Sequence, residues 1–142
     1  MVKNMVIKTL IVTGLVSGLS AADYDLKSNM HQMSMEMHAV QQGIMSNSDE
    51  ATLDALKRFK SSVNHLLGDT DNITKLLPDS KKAKAPMAVN SAHTINLYMD
   101  EISAAINNKE LNDLQKHNKI QKAYMDIQGQ CFHCHNLARD RK

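Results

Sequence analysis

The chain has 142 residues, with 17 Lys and Arg against 15 Asp and Glu, so its formal net charge is only +2. This near balance gives no electrostatic basis for binding nucleic acid, and the length is that of a single domain. With two Phe, three Tyr and no Trp, the core must be built from aliphatic residues and methionine, and only two cysteines are present.

Residues 1–22 have the pattern of a cleavable secretory signal peptide. Lys3 and Lys8 form a basic start, an apolar run covers 10–19, and small residues follow it. The run is short for a membrane-spanning helix, although an uncleaved anchor is the alternative. Cleavage would leave 23–142 as one domain with 15 basic and 15 acidic residues, because the signal holds two lysines and no acid. We therefore expect an exported protein with no stable insertion in a membrane.

Apolar residues recur at steps of three and four along the exported part, the spacing that is typical of amphipathic helices. In the first segment these residues are Leu26, Met30, Met33, Met37, Val40 and Ile44. In the second segment they are Leu53, Leu56, Phe59, Val63, Leu66 and Leu67. Residues 47–50 separate the two segments and place two acids in the first turn of the second helix.

Residues 68–85 form the longest connection, which contains a short apolar group around Ile73. Pro86 suits the first turn of a third helix, because proline needs no backbone donor there. The apolar residues of this helix are Ala88, Ala92, Ile95, Met99, Ile102 and Ile106. A fourth helix is expected to begin at Glu110 and to run to about Arg139. Its inward positions are Leu111, Leu114, Tyr124, Ile127, Cys131 and Cys134.

The fourth helix carries the most specific motif of the chain, Cys-Phe-His-Cys-His at 131–135. This is the C-x-x-C-H signature of covalent haem c attachment. Cys131 and Cys134 lie one helical turn apart, so each thiol can add to one vinyl group of the same macrocycle. His135, next to the second thiol, can supply an axial imidazole nitrogen to the iron.

Two other uses of a cysteine pair remain as alternatives. A thioredoxin-like redox pair belongs to a βαβ context, and no strand-like alternation is found along this chain. A structural zinc site usually takes four ligands from two spaced pairs, so it would require separate histidines or a second chain. We therefore predict one covalently attached haem c.

The four periodic segments predict an all-α protein, an up-down-up-down four-helix bundle. The first and last helices are then antiparallel neighbours. Met30 lies seven residues after Asp23, and His135 lies seven residues before the C-terminus, so the two are expected at the same height. A haem between helices one and four would meet His135 on one face and Met30 on the other. His/Met ligation is an established cytochrome arrangement that raises the reduction potential.

These features resemble the cytochrome c′ and cytochrome b562 superfamily of four-helix bundles. In cytochromes c′ the C-x-x-C-H motif lies near the end of the last helix, as at 131–135 here. That family often has an arginine four residues after the histidine, the place of Arg139, but its usual preceding tyrosine is Ala138 in this chain. The opening 24–30 is similar to the start of cytochrome b562, in which the methionine matching Met30 is the sixth ligand. The low-spin members called cytochrome c-556 are the most similar.

The resemblance implies an electron carrier and not an enzyme. His135 would be the proximal ligand, Met30 the distal ligand, and Arg139 a contact of a propionate or the haem edge. The alternative is a five-coordinate protein like cytochrome c′ that captures NO or CO on the Met30 side. Since haem c is attached outside the bacterial cytoplasm, we expect a periplasmic protein that meets redox partner proteins. The sequence leaves open whether two copies pair as a homodimer.

A second kind of metal chemistry is suggested by the methionines and histidines of the first helix. Thioethers and imidazoles suit copper. Met30, Met33 and Met37 are needed by the apolar seam, which leaves His31, Met35 and His38 for an external site. We expect these three to point in different directions, so copper would be an addition to haem and not a replacement.

Overall fold

The computed structural model describes residues 26–138, which contain helices and no strand. The all-α expectation is therefore confirmed for this part of the chain. The elements in chain order are α1 (Leu26–Met45), α2 (Asp49–Leu67), α3 (Thr70–Leu76), a 3-10 helix (Asp79–Lys84), α4 (Ala85–Asn107) and α5 (Asp113–Ala138). The predicted signal peptide at 1–22 and the predicted haem-edge residue Arg139 lie outside the described residues.

The break between the first two helices is confirmed at the predicted place. Asn47 takes a positive φ of 54°, a conformation that asparagine tolerates better than most residues. The Ser48 side chain then accepts a hydrogen bond from the backbone nitrogen of Ala51 at 3.3 Å and caps α2. Asp49 and Glu50 occupy the first turn of α2, where the helix dipole favours negative charge.

The connection predicted at 68–85 contains a helix that the periodicity did not reveal. Asp69 caps α3 by accepting a hydrogen bond from the backbone nitrogen of Asn72 at 2.9 Å. Ile73 is only 1% exposed and anchors α3 in the core. Seven residues are too few for an apolar pattern to repeat, so the sequence showed only a short apolar group.

The last helix begins three residues later than predicted, at Asp113 and not at Glu110. Asn112 Oδ1 accepts from the backbone nitrogen of Gln115 at 2.9 Å, and Gln115 Oε1 accepts from the backbone nitrogen of Asn112 at 3.1 Å. This reciprocal pair is a capping box, which defines the start of a helix. Glu110 instead donates its backbone N–H to Asn108 Oδ1, within the preceding turn.

The long helices pack in a chain of neighbours: α1 on α2, α2 on α4, and α4 on α5. The short helix α3 contacts α2 and α4, and the 3-10 helix contacts α4 and α5. The five α-helices, but not the 3-10 helix, contribute the largest fully buried side chains: Val40, Phe59, Val63, Leu66, Ile73, Met99, Ile102 and Ile127. By contrast, α1 and α5 make almost no close backbone approach. Within residues 26–138, no helix is both long and apolar enough to cross a membrane.

The contact between α1 and α2 depends on a glycine. A Cβ placed on Gly43 would lie 2.7 Å from Thr52 Oγ1 and 2.8 Å from the backbone nitrogen of Thr52. Because backbone atoms cannot easily move aside, Gly43→Ala is expected to lower the free energy of unfolding by about 1–3 kcal/mol.

Gly129 of α5 provides the matched control, since nothing lies within 4 Å of a Cβ placed there. Gly129→Ala is expected to raise the free energy of unfolding by about 0.5–1 kcal/mol, because alanine loses less backbone entropy in a helix. Urea denaturation of both variants measures the two values. A change of the same sign and size in both would contradict this account of the α1–α2 contact.

Candidate functional site

A cleft of about 340 Å³ separates α1 from α5. Its lining residues are Met30, Met33, Ser34, Met37, His38 and Gln41 of α1, Phe59 of α2, and Tyr124, Gln128, Cys131, Phe132 and His135 of α5. None of these is Asp, Glu, Lys or Arg. The cleft is therefore a largely apolar space with a few neutral hydrogen-bonding groups, which is typical of a site for an apolar cofactor or ligand.

The two walls of the cleft follow the same helical spacing. On α5 the stripe is Tyr124, Gln128, Cys131 and His135, and on α1 it is Met30, Ser34, Met37 and Gln41. Both stripes advance by four, three and four residues. At about 100° per residue, the members of each stripe stay within about 60° of one another. The cleft is thus a groove between two continuous helix faces and not a pocket made by loops.

The position of α1 along the axis of α5 is fixed by contacts at the end of the groove far from Met30 and His135. His117 Nε2 lies 2.9 Å from Asn47 Oδ1, and Lys116 Nζ donates to Asp49 Oδ2 at 2.5 Å. These contacts join the turn after α1 and the first residue of α2 to the start of α5. Met30 lies 17 residues before Asn47, and His135 lies 18 residues after His117. At 1.5 Å per residue the two are displaced from that junction by ~26 and ~27 Å, so they meet at nearly the same height.

The predicted ligand and attachment residues are distributed unevenly around the cleft. Met30, Cys131 and His135 all line it, with Met30 half-buried and His135 exposed. Cys134 is 8% exposed, belongs to the hydrophobic core and is not among the lining residues. It follows Cys131 by one turn, and both thiols are free. The fifth predicted site residue, Arg139, lies outside the described residues.

Burial raises the pKa of both thiols above its ordinary value. For Cys131 the neighbouring Cys134 thiol adds to this effect, because two negative charges would repel each other. A redox-active dithiol requires the opposite, a lowered pKa that yields a thiolate nucleophile near neutral pH. The environment of the pair therefore does not favour the thioredoxin-like alternative.

Tyr124 is a residue of the cleft that the sequence assigned only to the apolar seam. It is buried, and its hydroxyl oxygen accepts a hydrogen bond from Gln128 Nε2 at 3.2 Å. Burial, followed by the nearby Cys131, raises the pKa of Tyr124, so the phenol stays neutral. Its position seven residues before Cys131 places it on the same face, and that spacing was the available signal.

Metal sites other than the C-x-x-C-H motif were also expected or excluded from the sequence. Among residues 26–138, no three His, Cys, Asp or Glu side chains form a group that could hold a metal ion. The expectation that His31, Met35 and His38 point in different directions is wrong. They occupy positions i, i+4 and i+7 of the continuous helix α1, so they fall within about 60° on one face.

Comparisons of the chain with protein-family models, with curated proteins and with solved structures found no match. The function must therefore be inferred from the motif and from the cleft that contains it.

Proposed function

We propose that this protein is a periplasmic monohaem c-type cytochrome that carries one electron at a time between redox partner proteins. The observation that carries the proposal is the position of the C-x-x-C-H motif. Cys131 and His135 line one wall of an uncharged cleft, and Met30 lines the wall opposite at nearly the same height. A haem c centre would use this combination of a thioether-forming thiol, an imidazole and a facing methionine sulfur, with the second thioether from Cys134, one turn from Cys131.

The same proposal explains why α1 and α5 stand apart. We propose that α1, α2, α4 and α5 form an up-down-up-down bundle, with α3 inserted in the connection between the second and third long helices. The neighbour contacts support this, because α1–α2, α2–α4 and α4–α5 pack directly while α1 and α5 barely approach. Haem between the first and last long helices would take the place of the missing helix–helix packing.

Each residue then has a defined task. Cys131 and Cys134 would form the two thioether bonds, His135 would hold the iron as proximal ligand, and Met30 would hold it as distal ligand. The bound haem supplies reversible one-electron chemistry. The residues fit the group, since the cleft wall is apolar and has no charged side chain to compete for the iron. Cys134 borders this wall from the core side, one turn from Cys131.

The other side chains of the cleft would limit the access of water to the iron ligands and satisfy the polar groups of the cleft wall. Met33, Met37 and Phe59 provide apolar surface that limits water next to the ligands. Tyr124 and Gln128 already satisfy part of each other's hydrogen-bonding capacity. Because Met30 and His135 both belong to long helices, the fold and not a mobile loop would hold them in place, which would keep reorganisation small when a bound redox group changes its charge.

Optical spectroscopy of the purified holoprotein tests the proposal. Ferric and ferrous spectra are recorded, and CO is then added to the reduced protein. Low-spin bands, the far-red sulfur-to-iron feature and no response to CO are expected for the His/Met electron carrier. A high-spin spectrum with prompt CO binding would replace this proposal with the five-coordinate NO- or CO-binding alternative. A protein without haem bands would contradict both.

A further inference from the structure

The outer face of α1 carries three side chains with soft metal donors that the proposed haem site does not use. His31, Met35 and His38 lie on one face of the helix, about 60° wide in total. All three are exposed. His31 and Met35 are turned away from the cleft, while His38 also lines its rim.

Exposure distinguishes Met35 from the methionines of the apolar seam, and Met45, which is also exposed at the end of α1, has no histidine three or four residues from it. Met33 and Met37 are buried and Met30 is half-buried, whereas Met35 is 57% exposed and takes no part in the core. A single exposed apolar residue needs no explanation by itself. Here, however, the thioether has an imidazole one turn before it and another one turn after it.

We propose that His31, Met35 and His38 bind one Cu(I) ion on the outer face of α1. Imidazole nitrogen and thioether sulfur are ligands that soft Cu(I) accepts, whereas carboxylate or carbonyl oxygens would suit Mg²⁺ or Ca²⁺. No acidic side chain shares this face, since Glu36 of α1 is buried. His31 and His38 are separated by a rise of ~10.5 Å, with Met35 between them, so the two rings would reach the ion from opposite sides of the sulfur.

Gln42 contacts one of these ligands. Its Nε2 lies 3.4 Å from His38 Nε2, one turn further along the same face. An amide nitrogen only donates, so His38 Nε2 accepts in this contact and its lone pair is in use. The contact is long and exposed, so a copper ion at His38 would replace it, and the site has three donors on a single helix.

The test is a titration of the reduced, purified protein with Cu(I) in competition with a colorimetric Cu(I) chelator, without oxygen. Any free thiol is first alkylated, which keeps Cys131 and Cys134 out of the comparison whether or not haem is attached. One equivalent is expected to bind. Met35→Leu and His38→Gln are each expected to weaken binding by about tenfold or more, the effect of losing ~1.4 kcal/mol of binding free energy.

Two matched variants serve as controls. Met125→Leu removes an exposed methionine of α5, and His93→Gln removes an exposed histidine of α4. Both are expected to bind Cu(I) as the unchanged protein does. X-ray absorption at the copper edge should give one sulfur and two nitrogen ligands. Equal affinities in all variants, or a copper ion without a sulfur ligand, would overturn the proposal.

Discussion

Replacing both cysteines, Cys131→Ala with Cys134→Ala, is expected to abolish covalent haem attachment completely. These are the only cysteines of the chain, so no other thiol can form a thioether. The protein is produced in cells that mature c-type cytochromes, and its mass is measured after denaturation. The unchanged protein should carry the mass of one haem, and the double variant should carry none.

His133→Ala is the control for this experiment. His133 lies inside the motif but is exposed and does not line the cleft, so the variant should retain its haem. Retention of haem by the double cysteine variant would contradict covalent attachment. If the unchanged protein carried zinc or a disulfide in place of haem, the alternatives for the cysteine pair would have to be reconsidered.

Met30→Ala is expected to open the distal side of the iron. Alanine has no donor atom, so the reduced protein should bind CO, which the unchanged protein should not. Loss of the Met30 sulfur as an iron ligand should also lower the reduction potential by on the order of 0.1 V, since axial ligands set haem potentials over a range of roughly 0.8 V. CO titration and optical potentiometry measure the two effects.

Two further variants, Met33→Ala and Met125→Ala, distinguish the loss of an iron ligand from the loss of side-chain packing. Met33 lines the same cleft one turn from Met30 but is buried, and Met125 is exposed on α5 outside this cleft. Met33→Ala should lower stability while the iron stays six-coordinate, and Met125→Ala should change neither property. CO binding in Met33→Ala and not in Met30→Ala would make Met33 the distal ligand. An unchanged spectrum in Met30→Ala would favour the gas-binding alternative.

Much of the site follows from spacing along single helices. The step from Cys131 to His135 and the step from Met30 to Met37 both keep side chains on one face, and the sequence alone predicts this for any continuous helix. The same reasoning could have added Tyr124, which is seven residues before Cys131. It could also have placed His31, Met35 and His38 together, where the expectation made from the sequence was wrong.

The elements with short or local signals were the ones predicted least well. Helix α3 has a single strongly buried residue, Ile73, and its start depends on one hydrogen bond from Asn72 to Asp69. The start of α5 depends on the pairing of Asn112 with Gln115. A capping contact competes with several local turns of similar energy, so periodicity alone places such ends only within a few residues.

The amino-acid sequence by itself determined the helical class, the long helices and the C-x-x-C-H motif, because each depends on residues close together in the chain. Only the tertiary structure decided that α1 and α5 stand apart, that Met30 and His135 line one cleft, and that Cys134 lies on the core side of it. Those features depend on contacts between distant residues, above all Asn47 with His117 and Lys116 with Asp49. Spacing along one helix fixes the face of a side chain, but the height of one helix against another is set by packing.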